Sequence, residues 1–227
     1  MLFRSLNFPI AENEFRRAVS LNPNYANAHH WFGLFLAWQA RYDEGLSHLR
    51  RAVELEPLNL QYNSNFGQGL FVARQYDKAV EHLKKTIEMD PNFGVAHGQL
   101  SEAYKRMGRY DLYFEEEKEE QRLFGDKEEL AIVEDASRIF ATSGYKAAIA
   151  RQIQGHVGLS KRRYVDPATI AYDYAVLGDK EQTFTWLTKA LNDKSSALQV
   201  IKSVPWLDQW HSEPRYVEIL KQLNLAQ

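Results

Sequence analysis

Residues 21–33 read LNPNYANAHHWFG, a proline turn followed at once by two histidines and a tryptophan. Adjacent histidines beside an aromatic ring belong either to a metal or catalytic site or to a packing unit that recurs along the chain. The prolines decide between the two. There are seven in 227 residues, and three of them, Pro23, Pro57 and Pro91, follow one another at intervals of 34. The same interval relates Tyr42-Asp43, Tyr76-Asp77 and Tyr110-Asp111, and it carries His48 onto His82, Leu49 onto Leu83 and Gly33 onto Gly67. A period of this length marks a stacked helix-turn-helix array.

Within each period apolar residues recur at steps of three and four, as one face of a helix requires. The polar breaks QARYDE (39–44), ARQYDK (73–78) and RMGRYD (106–111) divide each period into two such runs. Each break sets an aspartate in the first turn of the second helix, where it meets the positive end of the helix dipole. Proline then ends that helix, because it has no N–H to donate. Gly33, Gly67 and Ala52 are small residues placed where two helices approach closely, and a lone helix pair cannot bury its apolar face, so neighbouring pairs stack. His29 and His97 hold one repeat position two periods apart, which places them on separate helices. With no HExxH motif or facial triad, HHW reads as packing and groove lining, and no metal site is expected.

These residues resemble the tetratricopeptide repeat (TPR) family, whose pattern runs Trp-x2-Leu-Gly-x2-Tyr, then Ala-x3-Phe-x2-Ala, then Pro. Unit 26–59 supplies His29, Phe32, Gly33 and Leu36, then Gly45, Leu49 and Ala52, then Pro57; unit 60–93 supplies Asn63, Phe66, Gly67 and Leu70, then Ala79, Leu83 and Thr86, then Pro91. Unit 94–127 keeps His97, Leu100, Ser101, Tyr104 and Gly108, but Tyr113, Glu117 and Glu120 replace small or apolar residues and Gly125 replaces the proline. The resemblance implies an all-α fold of antiparallel helix-turn-helix repeats stacked into a right-handed superhelix, an α-solenoid, with a C-terminal helical cap.

The expected organisation is an array over 10–125, with a half repeat at 10–25 carrying Ala11, Phe15 and Ala18, followed by repeats 26–59, 60–93 and 94–127. Residues 126–227 hold divergent repeats at about 127–160, turning at Ser143-Gly144, and at about 164–195, turning at Gly178-Asp179, and then a capping segment 196–227 in which Glu213-Pro214 opens a last helix. The half repeat leads us to expect a fragment of a longer protein. In layout the C-terminal run resembles the terminal repeat arrays of bacterial multidomain regulators, which follow a cyclase, kinase or winged-helix domain.

No chemistry is expected from this sequence. It has no cysteine, no GxxxxGK[ST], GxGxxG or GxSxG motif and no kinase catalytic loop, so no enzyme, cofactor or catalytic residue is expected. Lys plus Arg 28 against Asp plus Glu 30 offers no field for nucleic acid, and no run of 18 apolar residues offers a membrane span. A cytoplasmic location is expected. EEEKEE (115–120) reads as a solvated Glu-rich helix and KRRY (161–164) as a solvated linker.

In the TPR architecture the first helix of each unit lines a concave groove, and positions 2, 5, 6 and 9 face a bound peptide. The resemblance places there Asn27, His30, Trp31 and Leu34, then Gln61, Ser64, Asn65 and Gln68, then Val95, Gly98, Gln99 and Glu102. The five positions of the family's carboxylate clamp read His30, Leu34, Asn65, Val95 and Gln99, so only the asparagine survives and chaperone-type EEVD tails are not expected to bind. The expected function is a non-enzymatic scaffold that binds a peptide or partner protein in this groove. One alternative is a homo-oligomer formed through the N-terminal half repeat, and another is a helical-repeat RNA binder, which the acidic balance disfavours.

Overall fold

The structure is a computed structural model that describes residues 8–225, and the chain divides into two compact units, Met1–Leu123 and Phe124–Gln227. Helices α1 (Phe8–Leu21), α2 (Ala26–Trp38), α3 (Tyr42–Leu55), α4 (Leu60–Val72), α5 (Tyr76–Met89), α6 (Gly94–Arg106) and α7 (Tyr110–Phe124) run through the first. The pairs α2/α3, α4/α5 and α6/α7 are the three units of the 34-residue period.

The turn inside each pair is the same, and its chemistry explains the polar breaks. After α2, Ala40 N–H donates to the Ala37 carbonyl and Arg41 N–H to the Leu36 carbonyl; Arg74/Gln75 and Gly108/Arg109 repeat these two bonds after α4 and α6. This Schellman arrangement needs one left-handed residue. Ala40, Arg74 and Gly108 supply it with φ of 63°, 59° and 72°. Asp43, Asp77 and Asp111 then stand in the first turns of α3, α5 and α7.

Packing within pairs rests on the small residues. A Cβ on Gly33 would lie 2.7 Å from Leu49 Cγ and 2.8 Å from the Gly45 carbonyl oxygen, so α2 and α3 touch backbone to backbone. Leu36, Leu49 and Ala52 are fully buried there, as are Ala79 and Leu83 in α5 and Ala96 and Ala103 in α6. Between pairs, α3 packs on α4 and α5 on α6, while the first helices also pack on one another, α2 on α4 and α4 on α6. The first helices α2, α4 and α6 thus form one continuous row.

A polar latch recurs at the fourth position of each pair. His29 Nε2 donates to the Pro23 carbonyl at 3.1 Å, Asn63 Nδ2 to the Pro57 carbonyl at 2.9 Å, and His97 Nε2 to the Pro91 carbonyl at 3.1 Å. The other ring nitrogen crosses to the second helix: His29 Nδ1 meets His48 Nδ1 at 2.9 Å and His97 Nδ1 meets Glu116 Oε2 at 2.7 Å. Two histidines of the opening motif and its later copy are therefore structural. Each gives a partner to a proline carbonyl for which the turn's backbone supplies no N–H.

The acidic run of α7 departs from the expected solvated face. Glu116 bonds His97, Ser101 Oγ donates to Glu117 at 3.0 Å, and Glu120 lies over Gly98, where a Cβ would come within 2.0 Å of its carboxylate. Gly98 and Ser101 on α6 make room for these carboxylates, and the pair closes on polar contacts where α2/α3 closes on leucine and glycine.

In the second unit α8 (Lys127–Leu159) is two helical arms joined at Gly144, whose φ of 78° and ψ of 178° break the helix. Asp126 caps the first arm through Glu129 N–H. The basic residues of 161–164 return to that cap: Arg163 pairs with Asp126 at 2.6 Å and Arg162 with Glu128 at 2.8 Å. Helices α9 (Pro167–Leu177) and α10 (Lys180–Asn192) follow, α9 starting with Pro167 at its first turn and an Asp166 cap. Two 3-10 helices, Ser196–Ser203 and Pro205–Trp210, lead to α11 (Pro214–Gln222). Phe184, Leu187, Ile201, Leu207 and Tyr216 form one core that seats this cap. Arg215 straps α11 to α10, bonding Glu181 at 2.9 Å and lying 4.5 Å over the Phe184 ring, and Lys180 pairs with Glu213.

Candidate peptide-binding surface

The expected groove residues lie on the first helices α2, α4 and α6, and the structure sorts them into two layers. His30, Leu34, Ser64 and Asn65 are buried; Asn27, Gln68, Gln99 and Glu102 are half-buried; Trp31, at 48%, and Gln61 are exposed. The same holds for the two further positions, Val95 and Gly98, which are half-buried.

The inner layer is a hydrogen-bonded tie between successive helices. Asn65 Nδ2 donates to His30 Nε2 at 2.5 Å, and Ser64 Oγ donates to Gln99 Oε1 at 2.7 Å. Both bonds join position 5 of one pair to position 6 of the next, 35 residues on. Gln61 Nε2 donates to Asn65 Oδ1 at 3.1 Å, so this asparagine has a donor and an acceptor engaged within the protein. The His30 ring lies tilted against its neighbours, 4.7 Å from Tyr62 and 5.0 Å from Trp31. Burial holds its pKa below the ordinary histidine value, and the neutral ring accepts through Nε2 as the Asn65 bond requires.

The outer layer is exposed or half-buried. Trp31 offers the aromatic surface and Gln61 an exposed amide. Asn27 Nδ2 reaches the Tyr25 hydroxyl at 3.5 Å, and Glu102 lies 3.5 Å from Arg106 and 3.8 Å from Lys105. The structure thus brings His30, Gln61 and Asn65 into one contact chain and Ser64 and Gln99 into another. Leu34, at 5% exposure, belongs to the core beneath. The tie between positions 5 and 6 crosses from one unit to the next, so a single unit does not show it; its signal is the recurrence of polar residues at positions 5 and 6, His30, Ser64, Asn65 and Gln99.

Among the described residues no group of three His, Asp or Glu side chains is placed to hold a metal ion, and no helix is long and apolar enough to cross a membrane. Paired helices at a constant period, the glycine-mediated contacts and the row of first helices define a tetratricopeptide-repeat-like all-α solenoid. The sequence matches no protein-family model and no curated protein. Solved structures share its fold. MamA superposes with a TM-score of 0.56 and 14% identity over 68% of this chain and 92% of its own. PilF of Pseudomonas aeruginosa gives 0.56 and 15% over 86% and 88%. A chain of the APC/C hetero-tetramer Cut9–Hcn1 gives 0.59 and 15% over the whole of this chain and 45% of its own. Identities this low establish the fold alone.

Proposed function

We propose that the chain is a non-enzymatic interaction scaffold that binds an extended segment of a partner protein along α2, α4 and α6. The observation that carries this reading is the layering of the row of first helices. The buried His30–Asn65 and Ser64–Gln99 bonds hold three helices in fixed register, and Trp31 and Gln61 stand outward from that frame. A half-exposed tryptophan on a rigid frame is an anchor of the kind that dominates interface energies, and a preorganised frame spares the ordering cost of binding. The exposed amide of Gln61 suits the alternating N–H and C=O groups of an extended backbone. Glu102 on this face disfavours RNA. The layout of the C-terminal repeats supports a place within a larger regulatory protein, and the absence of cysteine fits a cytoplasmic one.

The test is affinity capture from the source cell's lysate with wild-type protein and with Trp31→Ala/Gln61→Ala, both checked for unchanged helicity. The proposal predicts a partner retained by the first and lost by the second. Capture that is equal for both overturns it.

A further inference from the structure

We propose that α1 joins two copies of this chain, antiparallel about a two-fold axis, through the stripe Ile10, Glu14, Arg17 and Leu21. The four residues are spaced by four, three and four, which lines them along one face of a helix. All are exposed, Ile10 at 59% and Leu21 at 76%. The opposite face, with Ala11, Phe15 and Val19, packs on Phe32, Phe35 and Leu36 of α2.

Charge and shape select the occupant. When a second α1 is laid antiparallel on this stripe, Ile10 faces the partner's Leu21 and Glu14 faces the partner's Arg17, and the two-fold repeats both pairs. The stripe is self-complementary, which is what an isologous interface requires. Its spacing is that of the a and d positions of a coiled coil, and the central charged layer fixes orientation and register. Glu14 and Arg17 make no ion pair among the described residues, whereas their neighbour Glu12 bonds Arg16 at 2.6 Å and Arg41 of α3 at 2.8 Å. In α3 the residues equivalent to Glu14 and Leu21 are half-buried. His48 there bonds His29, and Leu55 packs with Ala26, Ala52 and Tyr62. No described helix of the first unit covers Glu14 and Leu21 in this way.

One helix face of 14 residues is a small interface, so the dimer is weak and depends on concentration. It does not rest on the groove reading, because the stripe lies on α1 and the groove on α2, α4 and α6. The experiment is sedimentation equilibrium of the full chain over a concentration series, with far-ultraviolet circular dichroism of each variant as the folding control. Wild-type mass rises towards twice the monomer. Glu14→Arg and Arg17→Glu each set like charges opposite one another and weaken association about tenfold or more. An equimolar mixture of the two regains it, because each copy then complements the other, and so does the double exchange Glu14→Arg/Arg17→Glu. A monomeric wild type, single variants that associate as the wild type does, or a mixture that stays monomeric overturns the proposal.

Discussion

Gly33 and Gly67 occupy the same position of successive repeats, yet adding one methyl group to each has different consequences. A Cβ on Gly33 meets backbone on the facing helix, 2.8 Å from the Gly45 carbonyl oxygen and 2.9 Å from the Leu49 nitrogen, as well as Leu49 Cγ at 2.7 Å. Relief requires α3 to move away from α2 by about 0.5 Å, in an interior packed as densely as an organic crystal. A Cβ on Gly67 meets only the Leu83 side chain, at 2.6 and 2.7 Å, and a leucine can change rotamer. Overpacking costs about 1–3 kcal/mol, the upper end applying where backbone must shift. Replacing glycine by alanine within a helix returns about 1 kcal/mol. Gly33→Ala is therefore expected to lose about 2 kcal/mol, or roughly 4–8 °C in Tm, and Gly67→Ala to change stability by less than about 1 kcal/mol. Urea unfolding followed at 222 nm measures both. Equal losses, or a larger loss at Gly67, would refute the claim that the Gly33–Gly45 contact sets the α2/α3 spacing.

Acid should destabilise the first unit before its carboxylates titrate. Burial lowers the pKa of His30, His48 and His82 in the folded state, so the unfolded chain binds more protons. Their contribution is present above the unfolded value of about 6.5 and is lost as pH falls from there through the lower folded values. Urea midpoints at pH 8, 6.5 and 5.5 should fall in that order, and His82→Leu should flatten the trend. Arg74→Gly should gain about 0.5–1 kcal/mol by relieving a left-handed residue, and Gly108→Ala should lose about 1 kcal/mol at the equivalent turn, both read from thermal melts. A peptide ending in EEVD should show no micromolar binding by calorimetry, since Asn65 is engaged by Gln61 and His30 and the other four clamp positions lack the residues it needs; a micromolar Kd would contradict this.

The repeat was legible because its period is enforced by sterics that leave a mark in the sequence: glycine where helices touch, proline where the second helix must stop, aspartate after the turn. The turn residue itself was less legible. Only Gly108 among the three announces a positive φ, and Ala40 and Arg74 adopt it because the two Schellman bonds and the packing of both helices impose it. His29 and His97 could be placed on helices, but their bonds to Pro23 and Pro91 follow from a carbonyl left over by the turn, which residue types alone do not show. The glutamates of α7 were read by what surrounds them on their own helix. Gly98 and Ser101, which receive them, lie on another. At the expected groove positions residue type does not show depth, so buried Ser64 and exposed Gln61 read alike.

Photo-crosslinking tests the central claim most directly. A benzoylphenylalanine placed singly at Trp31, Gln61 or Gln68 on the first helices, and at Ser47 or Glu88 on the second ones, would be irradiated with the captured partner present. The account predicts adducts to the partner from the three first-helix positions and none from the other two. Adducts from Ser47 and Glu88 alone would contradict it and move the binding surface to the second helices of the repeats.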